Sequence, residues 1–545
     1  MRIATIGASL LVVALHPFSG FAADPLAEAM DAIHPAALRG HVRFLADDLL
    51  EGRGTGTRGY EIAARYVAAQ FEAAGLEPAG PDGGFFQRVS LRRAQLVAEG
   101  CSVSFTHGGR STDLAYGRQF ALVPDVLRER AEASGGVVFV GFGISAPAQR
   151  HDDYAAVDVR GKVVAMLSGA PSSFPNDQRA YYSSRAVKAE QAERHGALGI
   201  LMVLTPEEEK RFPFERIAER LQGGGMAWLD ERGEPQDVAH GIQATAVLSR
   251  EGAEALFAGS PRSLASVFQA AAEGKTVSFG LPIEARIRTE SRQQAVESHN
   301  VLGVLRGSDP TLAREHVALS AHLDHLGIGI PKDGDAIYNG AYDNASGTAG
   351  ILEIARALAG LPRSPRSFLF AAVTGEEEGL LGAESLVHHP PDSVAEIVAD
   401  LNMDMFLTLY PIRDVVAFGG EHSSLGGAVR EAAGRLGLEV SPDPFPEEVI
   451  FIRSDHYAFV KKGIPSAMLA CGLKSADPAV DGGAVLGKWL QTVYHSPKDD
   501  ANQPMDFESA ARIARLYLLV AREIAEDPHR PSWNPGDFFA ARFAR

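Results

Sequence analysis

The sequence of the C-terminal half predicts an α/β fold in which a mixed, largely parallel sheet is flanked by helices. Three short apolar runs, at residues 317–320, 368–373 and 397–403, have the length of buried strands. Helical patterns lie between them, most clearly over residues 350–358. Strands that alternate with helices form sheets covered on both faces, and such sheets bind ligands outside the carboxyl ends of their strands. The residues that follow these strands therefore decide the function.

The start of the chain has the pattern of a targeting segment. Residues 3–15 are apolar, Arg2 supplies a positive charge before them, and small and polar residues follow. The apolar stretch is too short to span a bilayer, which predicts a signal peptide over residues 1–23, with an uncleaved N-terminal anchor as the alternative. No later segment is apolar over the roughly 18 residues of a membrane helix. We therefore expect an exported protein, periplasmic or extracellular, without stable membrane insertion.

Composition and charge narrow the class of protein. The length of 545 residues suits two to four domains, and 46% hydrophobic with 22% charged residues is typical of globular chains. The formal net charge of −17 argues against nucleic acid as a partner. Cys101 and Cys471 are too few for a disulfide scaffold or a thiolate zinc site. One bridge between them and two separate buried thiols are both compatible with the sequence.

Residues 24–290 divide into two segments of different texture. Residues 24–114 form an N-terminal helical segment, interrupted by a Gly-rich stretch at residues 51–59. No strand precedes that stretch and no Gly-Lys-Ser/Thr follows it, so we expect it to contact the active-site domain rather than a phosphate. Residues 115–290 show strands with turns but no constellation of histidines and carboxylates. They predict a non-catalytic, β-rich inserted module, and residues 291–545 carry the α/β domain.

Histidines and carboxylates follow every predicted strand of the α/β domain. They are His322 and Asp324 after the first strand, Asp343 before the next helix, Glu376, Glu377 and Glu378 after the second strand, Asp404 after the third, and His495 far downstream. Clustered carboxylates repel one another, and burying them without a cation costs several kcal/mol or forces protonation. Divalent metal resolves that conflict. Two metals that share one carboxylate suit two histidine and three acidic ligands, and they leave positions open for water and substrate.

These motifs resemble peptidase family M28, which contains co-catalytic zinc aminopeptidases and glutamate carboxypeptidases. The matching pieces are His322-Leu-Asp324, Asp343 in Gly-Ala-Tyr-Asp-Asn-Ala-Ser-Gly, Glu376-Glu377 before a Gly-Leu-Leu-Gly, Asp404 in Asn-Met-Asp-Met, Ser454-Asp455-His456, and Tyr494-His495-Ser-Pro. The middle segment is similar to a protease-associated domain inserted in such peptidases. The resemblance implies a zinc-exopeptidase fold.

The resemblance also implies a ligand set for two Zn²⁺ ions per chain. Asp343 would bridge the two ions. His322 and Asp404 would complete one site, and Glu377 and His495 the other.

Three further residues receive roles from the same resemblance. Asp324 would support His322 by fixing its ring orientation, as carboxylates behind metal ligands do. Glu376 would act as the general base that takes a proton from the metal-bridging water. Tyr494 would hydrogen-bond the carbonyl oxygen of the substrate.

The expected function is hydrolysis of peptide substrates by an exported di-zinc aminopeptidase that releases N-terminal residues. A glutaminyl-cyclase-like acyl transferase shares the scaffold and most of the ligands, and a carboxypeptidase belongs to the same family. A carboxypeptidase needs a cation for the terminal carboxylate, and Arg453 is either that cation or part of a structural ion pair. A non-catalytic receptor is disfavoured because all five ligands and the base are present. No feature of the sequence specifies side-chain preference or oligomeric state.

Overall fold

The computed structural model describes residues 24–406 and 408–544, so the expected signal peptide at residues 1–23 lies outside the described residues. The chain begins with three helices and a short 3₁₀ turn, at Pro25–Ala32, Pro35–Leu45, Asp48–Arg53 and Arg58–Ala73. Two sheets follow, which we call the central sheet and the inserted sheet. The 28-residue strand Ser278–Leu305 runs through both.

The central sheet contains the three predicted strands. Four parallel strands form its middle, in the order Ser367–Val373, Glu315–His322, Glu396–Asn402 and Ser466–Cys471. Antiparallel strands flank them, namely the C-terminal part of Ser278–Leu305 on one side and Asp414–Phe418 on the other. The outer strands are Glu77–Pro78, Phe86–Leu96, Gly225–Trp228 and Glu439–Ser441. The sheet is mixed and largely parallel, which confirms the predicted fold class.

Helices cover both faces of the central sheet because its strands are apolar on both sides. Val317 and Leu319 pack into the cluster that contains the helices Gly347–Ala359 and Phe507–Glu526. The intervening Ala318 points to the opposite face, toward Leu381–His388. The remaining helices of this domain are Leu425–Arg435, His456–Lys461, Gly482–Thr492 and Phe538–Phe543.

The inserted sheet lies between Ser102 and Glu290, and we call this part of the chain the inserted domain. It begins before the predicted residue 115, because the strands Ser102–His107 and Arg110–Asp113 fall in the segment 24–114 that the sequence predicts to be helical. Its strands are, in spatial order, Arg110–Asp113, Ser102–His107, the N-terminal part of Ser278–Leu305, Arg130–Val140, Val163–Leu167, Gly199–Val203, Ala244–Leu248 and Phe120–Leu122. Its helices are Asn176–Ser183, Arg185–Arg194, Pro206–Arg211, Phe214–Gln222, Arg250–Leu256 and Leu264–Ala272. Two small hairpins complete the strands, Ser145–Ala146 with His151–Asp152 and Gly327–Lys332 with Asp335–Tyr338.

The register of the parallel strands places their carboxyl ends at one edge. His322 pairs with Val373, and Ser320 pairs with Asn402. The residues that follow His322, Val373 and Asn402 therefore meet above the same edge of the central sheet.

Two other predictions concern the described residues. Among them, no helix has both the length and the apolar character needed to cross a membrane. Cys101 directly precedes the strand Ser102–His107 and Cys471 ends the strand Ser466–Cys471, and no disulfide joins them in this part of the chain.

Candidate metal centre

A first group of possible metal ligands forms around His322, the last residue of its strand. Its Nε2 lies 3.2 Å from Oδ1 of Asp343 and 3.2 Å from Oδ1 of Asp404. All three residues are buried. The sheet brings them together because Asp404 follows the neighbouring parallel strand, and Asp343 lies in the turn that leads into the helix Gly347–Ala359.

A second group forms on the other side of Asp343. Nε2 of His495 lies 3.1 Å from Oδ2 of Asp343 and 3.4 Å from Oε2 of Glu377. Asp343 therefore faces the first group with one carboxylate oxygen and the second group with the other. The structure thus brings all five residues of the expected ligand set together around one shared carboxylate.

His325 also belongs to the second group, and the sequence analysis missed it. Its Nδ1 lies 2.7 Å from Oε1 of Glu377 and 3.8 Å from Oδ2 of Asp343. The ring is buried, and its Nε2 has no hydrogen-bond partner among the described residues. The signal was present as the second histidine of His322-Leu-Asp-His325.

These residues fit a pair of divalent cations. The ligand atoms of His322, Asp343 and Asp404 lie within 4.8 Å of one another, as do those of His325, Asp343 and Glu377. Buried carboxylates this close together repel one another, and a divalent cation offsets that repulsion and the cost of removing them from water. An all-nitrogen and oxygen donor set suits zinc and also admits cobalt or manganese.

The main chain, rather than a side chain, orients the ring of His322. Its Nδ1 lies 3.0 Å from the carbonyl oxygen of Asp324, to which a protonated Nδ1 donates. The Asp324 carboxylate is 4.0 Å from that nitrogen. This carboxylate instead accepts hydrogen bonds from Thr55 Oγ1 at 2.9 Å and from the Glu376 amide at 3.2 Å. Asp324 therefore ties the N-terminal loop to the loop that carries Glu376.

Glu376 lies beside both groups but belongs to neither ligand group. Desolvation raises the pKa of its carboxyl well above the usual range, and Asp404 and Glu377 raise it further while His322 opposes them. The neighbouring Glu377 behaves differently. Although burial raises its pKa, the nearby His495 and His325 bring it well below the usual value. Two adjacent glutamates therefore sit in opposite electrostatic environments.

A buried arginine of the N-terminal loop donates hydrogen bonds to the main chain next to the expected metal ligands. Arg53 is completely buried, and its guanidinium donates to the carbonyl oxygens of Leu323 at 2.9 Å, Asn339 at 2.6 Å and Gly340 at 2.9 Å, and also to that of Leu45. Burial lowers the pKa of Arg53 to about 10, against the opposing effect of four nearby carboxylates. The Gly-rich stretch contacts the active-site domain, as expected from the sequence.

Tyr494 and Arg453 lie at the edge of the centre. The Tyr494 ring stacks on His495 with 3.8 Å between the ring centroids. The Arg453 guanidinium is 3.6 Å from Oε2 of Glu448 and lies over the ring of Phe212, which belongs to the inserted domain. Arg453 therefore forms an ion pair, which is one of the two roles that the sequence suggests for it.

Part of the chain is similar to a known protein family and to several curated proteins. Residues 300–521 match the family "Peptidase family M28". A "Probable leucine aminopeptidase" of Arthroderma benhamiae is 30% identical over 227 residues, which cover 41% of this chain and 57% of that protein. A "Probable zinc metalloprotease" of Pyrenophora tritici-repentis is 36% identical over 267 residues, which cover 43% and 58%. The chain thus spans little more than half the length of these curated relatives.

A solved structure shares the fold of almost the whole chain. It is the aminopeptidase from Aneurinibacillus sp. strain AM-1, with a TM-score of 0.53 and 17% sequence identity. The likeness covers 94% of this chain and 99% of that one. At this identity it shows the fold alone.

Proposed function

We propose that this chain is an exported di-zinc aminopeptidase, because residues 300–521 match peptidase family M28. It would hydrolyse peptide bonds and release N-terminal residues from peptides. The observation that carries the proposal is the pair of ligand groups that share Asp343, with the Glu376 carboxyl beside them and outside both. Relatives named leucine aminopeptidase and zinc metalloprotease support the same reaction class.

The residues divide between holding metal and handling protons. His322, Asp343 and Asp404 would hold one zinc ion, and Asp343 with Glu377 and His495 would hold the other, with His325 as a further nitrogen donor to that side. Zinc supplies Lewis-acid polarisation of the scissile carbonyl and ionisation of water near neutral pH. The Asp324 carbonyl oxygen accepts a hydrogen bond from Nδ1 of His322, which leaves Nε2 free to bind the metal.

Glu376 would be the general base. A general base must not be occupied as a ligand and must lie within reach of the attacking water. Glu376 meets the first condition, and its main chain is fixed by the hydrogen bond from its amide to Asp324. It accepts the proton of the attacking water and returns it to the leaving amine. Tyr494, stacked on His495, would donate its hydroxyl to the substrate carbonyl oxygen.

The charges around the centre favour an aminopeptidase over a carboxypeptidase. A free N-terminal amine needs an acidic neighbour, whereas a C-terminal carboxylate needs a cation. The half-buried Glu378 lies two residues after the expected base and is not one of the expected ligands. Arg453, the cation considered for a carboxylate, is 3.6 Å from Oε2 of Glu448, which offsets its charge.

Export and the nature of the insertion belong to the same proposal. The residue pattern at 1–23 supports a cleaved signal peptide, and mass spectrometry of the protein from the exported fraction of its cells would test this, with the mature chain expected to begin near Ala23. The inserted domain would be of the protease-associated type. Recovery of the intact N-terminus would contradict cleavage.

A matched peptide set tests the activity. Each peptide is supplied with a free or acetylated N-terminus and with a free or amidated C-terminus, and the released amino acids are quantified. We expect release from peptides with a free N-terminus, amidated ones included, and none from acetylated peptides. Release from acetylated peptides with a free C-terminus would indicate a carboxypeptidase. Ring closure of an N-terminal glutamine without release would indicate a cyclase, and no turnover of any peptide would contradict catalysis.

A further inference from the structure

We infer that Arg220, in the inserted domain, is a positioning residue of the metal centre because it holds the main chain of Glu377. Arg220 lies near the end of the helix Phe214–Gln222, and its Nη2 donates to the carbonyl oxygen of Glu377 at 2.7 Å. The inserted domain therefore contacts the loop that carries both the expected base and one expected ligand. The inference deepens the proposed function and rests on it for its kinetic readout.

The hydrogen bonds of this loop show why the contact matters. The carbonyl oxygens of Thr374, Gly375 and Glu376 accept from main-chain amides of residues 379–382 at 2.7–3.0 Å. The next carbonyl, that of Glu377, points away from this turn and receives the guanidinium of the inserted domain instead. A buried or half-buried carbonyl without a donor is costly, so the loop depends on this bond to complete its main-chain pairing.

The loop contains backbone conformations that are unfavourable for most residues. Gly379 and Leu380 have φ values of 118° and 64°, in the left-handed region that a leucine rarely adopts. The loop must also direct the side chains of Glu376 and Glu377 differently. Glu377 contacts His325 and His495, whereas Glu376 lies outside the ligand groups. A rotation of the peptide between Glu377 and the next residue would displace the ligand.

Arg220 is well placed to resist such a rotation. Phe214, Ile217 and Leu221 of its helix are buried in a hydrophobic cluster of the inserted domain, which fixes the helix that presents the guanidinium. No carboxylate lies within ion-pair distance of Arg220 among residues 24–406 and 408–544. Its charge is therefore directed at the carbonyl, and a charged donor makes a hydrogen bond roughly twice as strong as a neutral one.

The test compares Arg220→Ala and Arg220→Lys with Arg216→Ala. Arg216 lies on the same helix and makes no side-chain hydrogen bond or ion pair in the described part of the chain. Each protein is stripped of metal, its zinc affinity is measured by competition with a chromophoric chelator, and kcat and KM are measured on an amidated dipeptide. Removing a partner behind a metal ligand typically costs about 10–100-fold in affinity or activity. We expect a loss in that range for Arg220→Ala in kcat and in the affinity for the weaker-bound zinc, with little change in KM.

The control and the conservative variant separate positioning from stability. Arg216→Ala should match the wild type, and Arg220→Lys, which keeps the charge, should recover part of the loss. If Arg220→Ala fails to fold, Arg220→Gln replaces it in the same measurements. A kcat and a zinc affinity within twofold of the wild type would overturn the inference. If the wild type cleaves no peptide, the proposed function fails, and the zinc affinities still decide the role of Arg220.

Discussion

Replacing Arg53 with methionine removes the cation that joins the N-terminal loop to the metal centre. The guanidinium donates to four main-chain carbonyl oxygens, one of them between His322 and Asp324 and two of them just before Asp343 in the chain. Methionine fills much of the same volume but donates no hydrogen bond. The variant therefore isolates the polar contribution of this side chain to the free energy of unfolding.

The expected loss follows from counting the groups left unpaired. The Gly340 carbonyl keeps the Ala345 amide as a donor at 3.1 Å, so three carbonyls are left unpaired. Each buried carbonyl that loses its donor costs about 1–3 kcal/mol, which gives a loss of at least about 3 kcal/mol. The carboxylates of Asp499, Asp324, Asp343 and Glu377 also lose a nearby positive charge. Zinc ions would compensate those carboxylates but not the carbonyls. The loss should therefore be larger in the metal-free protein than in the zinc-saturated one.

Urea unfolding followed by circular dichroism, with and without zinc, measures both quantities. Arg58→Met is the control, because Arg58 is exposed at the start of the helix Arg58–Ala73, and surface substitutions usually change stability by less than about 0.5 kcal/mol. A loss below about 1 kcal/mol for Arg53→Met would refute the assigned role of the carbonyl contacts. A loss that grows on adding zinc would refute the electrostatic part.

Three further predictions address the base, the substrate contact and the C-terminal segment. Glu376→Gln should lower kcat by about 10²–10⁴-fold with both metals retained, whereas Glu377→Gln should lose one metal, as measured by turnover and elemental analysis. Tyr494→Phe keeps the stacking on His495 but removes the hydroxyl, so kcat should fall about tenfold in steady-state assays. Although burial opposes it, the hydrogen bond with Asp537 raises the pKa of His422. The pair therefore stabilises the fold fully below about pH 6.5, and this contribution is lost as the pH rises through the raised pKa of His422. In urea unfolding, His422→Gln should therefore lower the free energy of unfolding more at pH 6 than at pH 9.

Each of these predictions has a contrary outcome. Metal loss in Glu376→Gln with metal retained in Glu377→Gln would reverse their roles. Unchanged kcat in Tyr494→Phe would remove the hydroxyl from the reaction. A stability difference for His422→Gln that grows toward pH 9 would show that the neutral imidazole, rather than the charged one, is the stabilising form.

The expected ligands could be located from the sequence because each follows an apolar strand or lies in a motif at a strand end. Parallel strands end at one edge, so His322, Glu377 and Asp404 had to meet once the strands were identified. His325 was missed because one histidine of its motif already filled a role. Only the folded loop shows that it faces Glu377 rather than solvent.

The contacts to main-chain carbonyls could not be predicted. Arg53 and Arg220 act on backbone atoms far away in sequence, and a backbone acceptor leaves no mark in the residue types. The sequence predicts a non-catalytic inserted domain because this segment contains no constellation of histidines and carboxylates. Its arginine reaches the centre through hydrogen bonding alone.

The proposed reaction depends on two zinc ions held by groups that share Asp343, and zinc titration of the metal-free protein measures both ions. Peptide hydrolysis and bound metal are measured together as zinc is added to the wild type, to Asp404→Asn and to Asp343→Asn. We expect activity to return when two zinc ions are bound per chain. Asp404→Asn should lose one ion, and Asp343→Asn should lower the zinc affinity of both sites. Full activity in protein shown by elemental analysis to be metal-free would contradict this dependence on zinc.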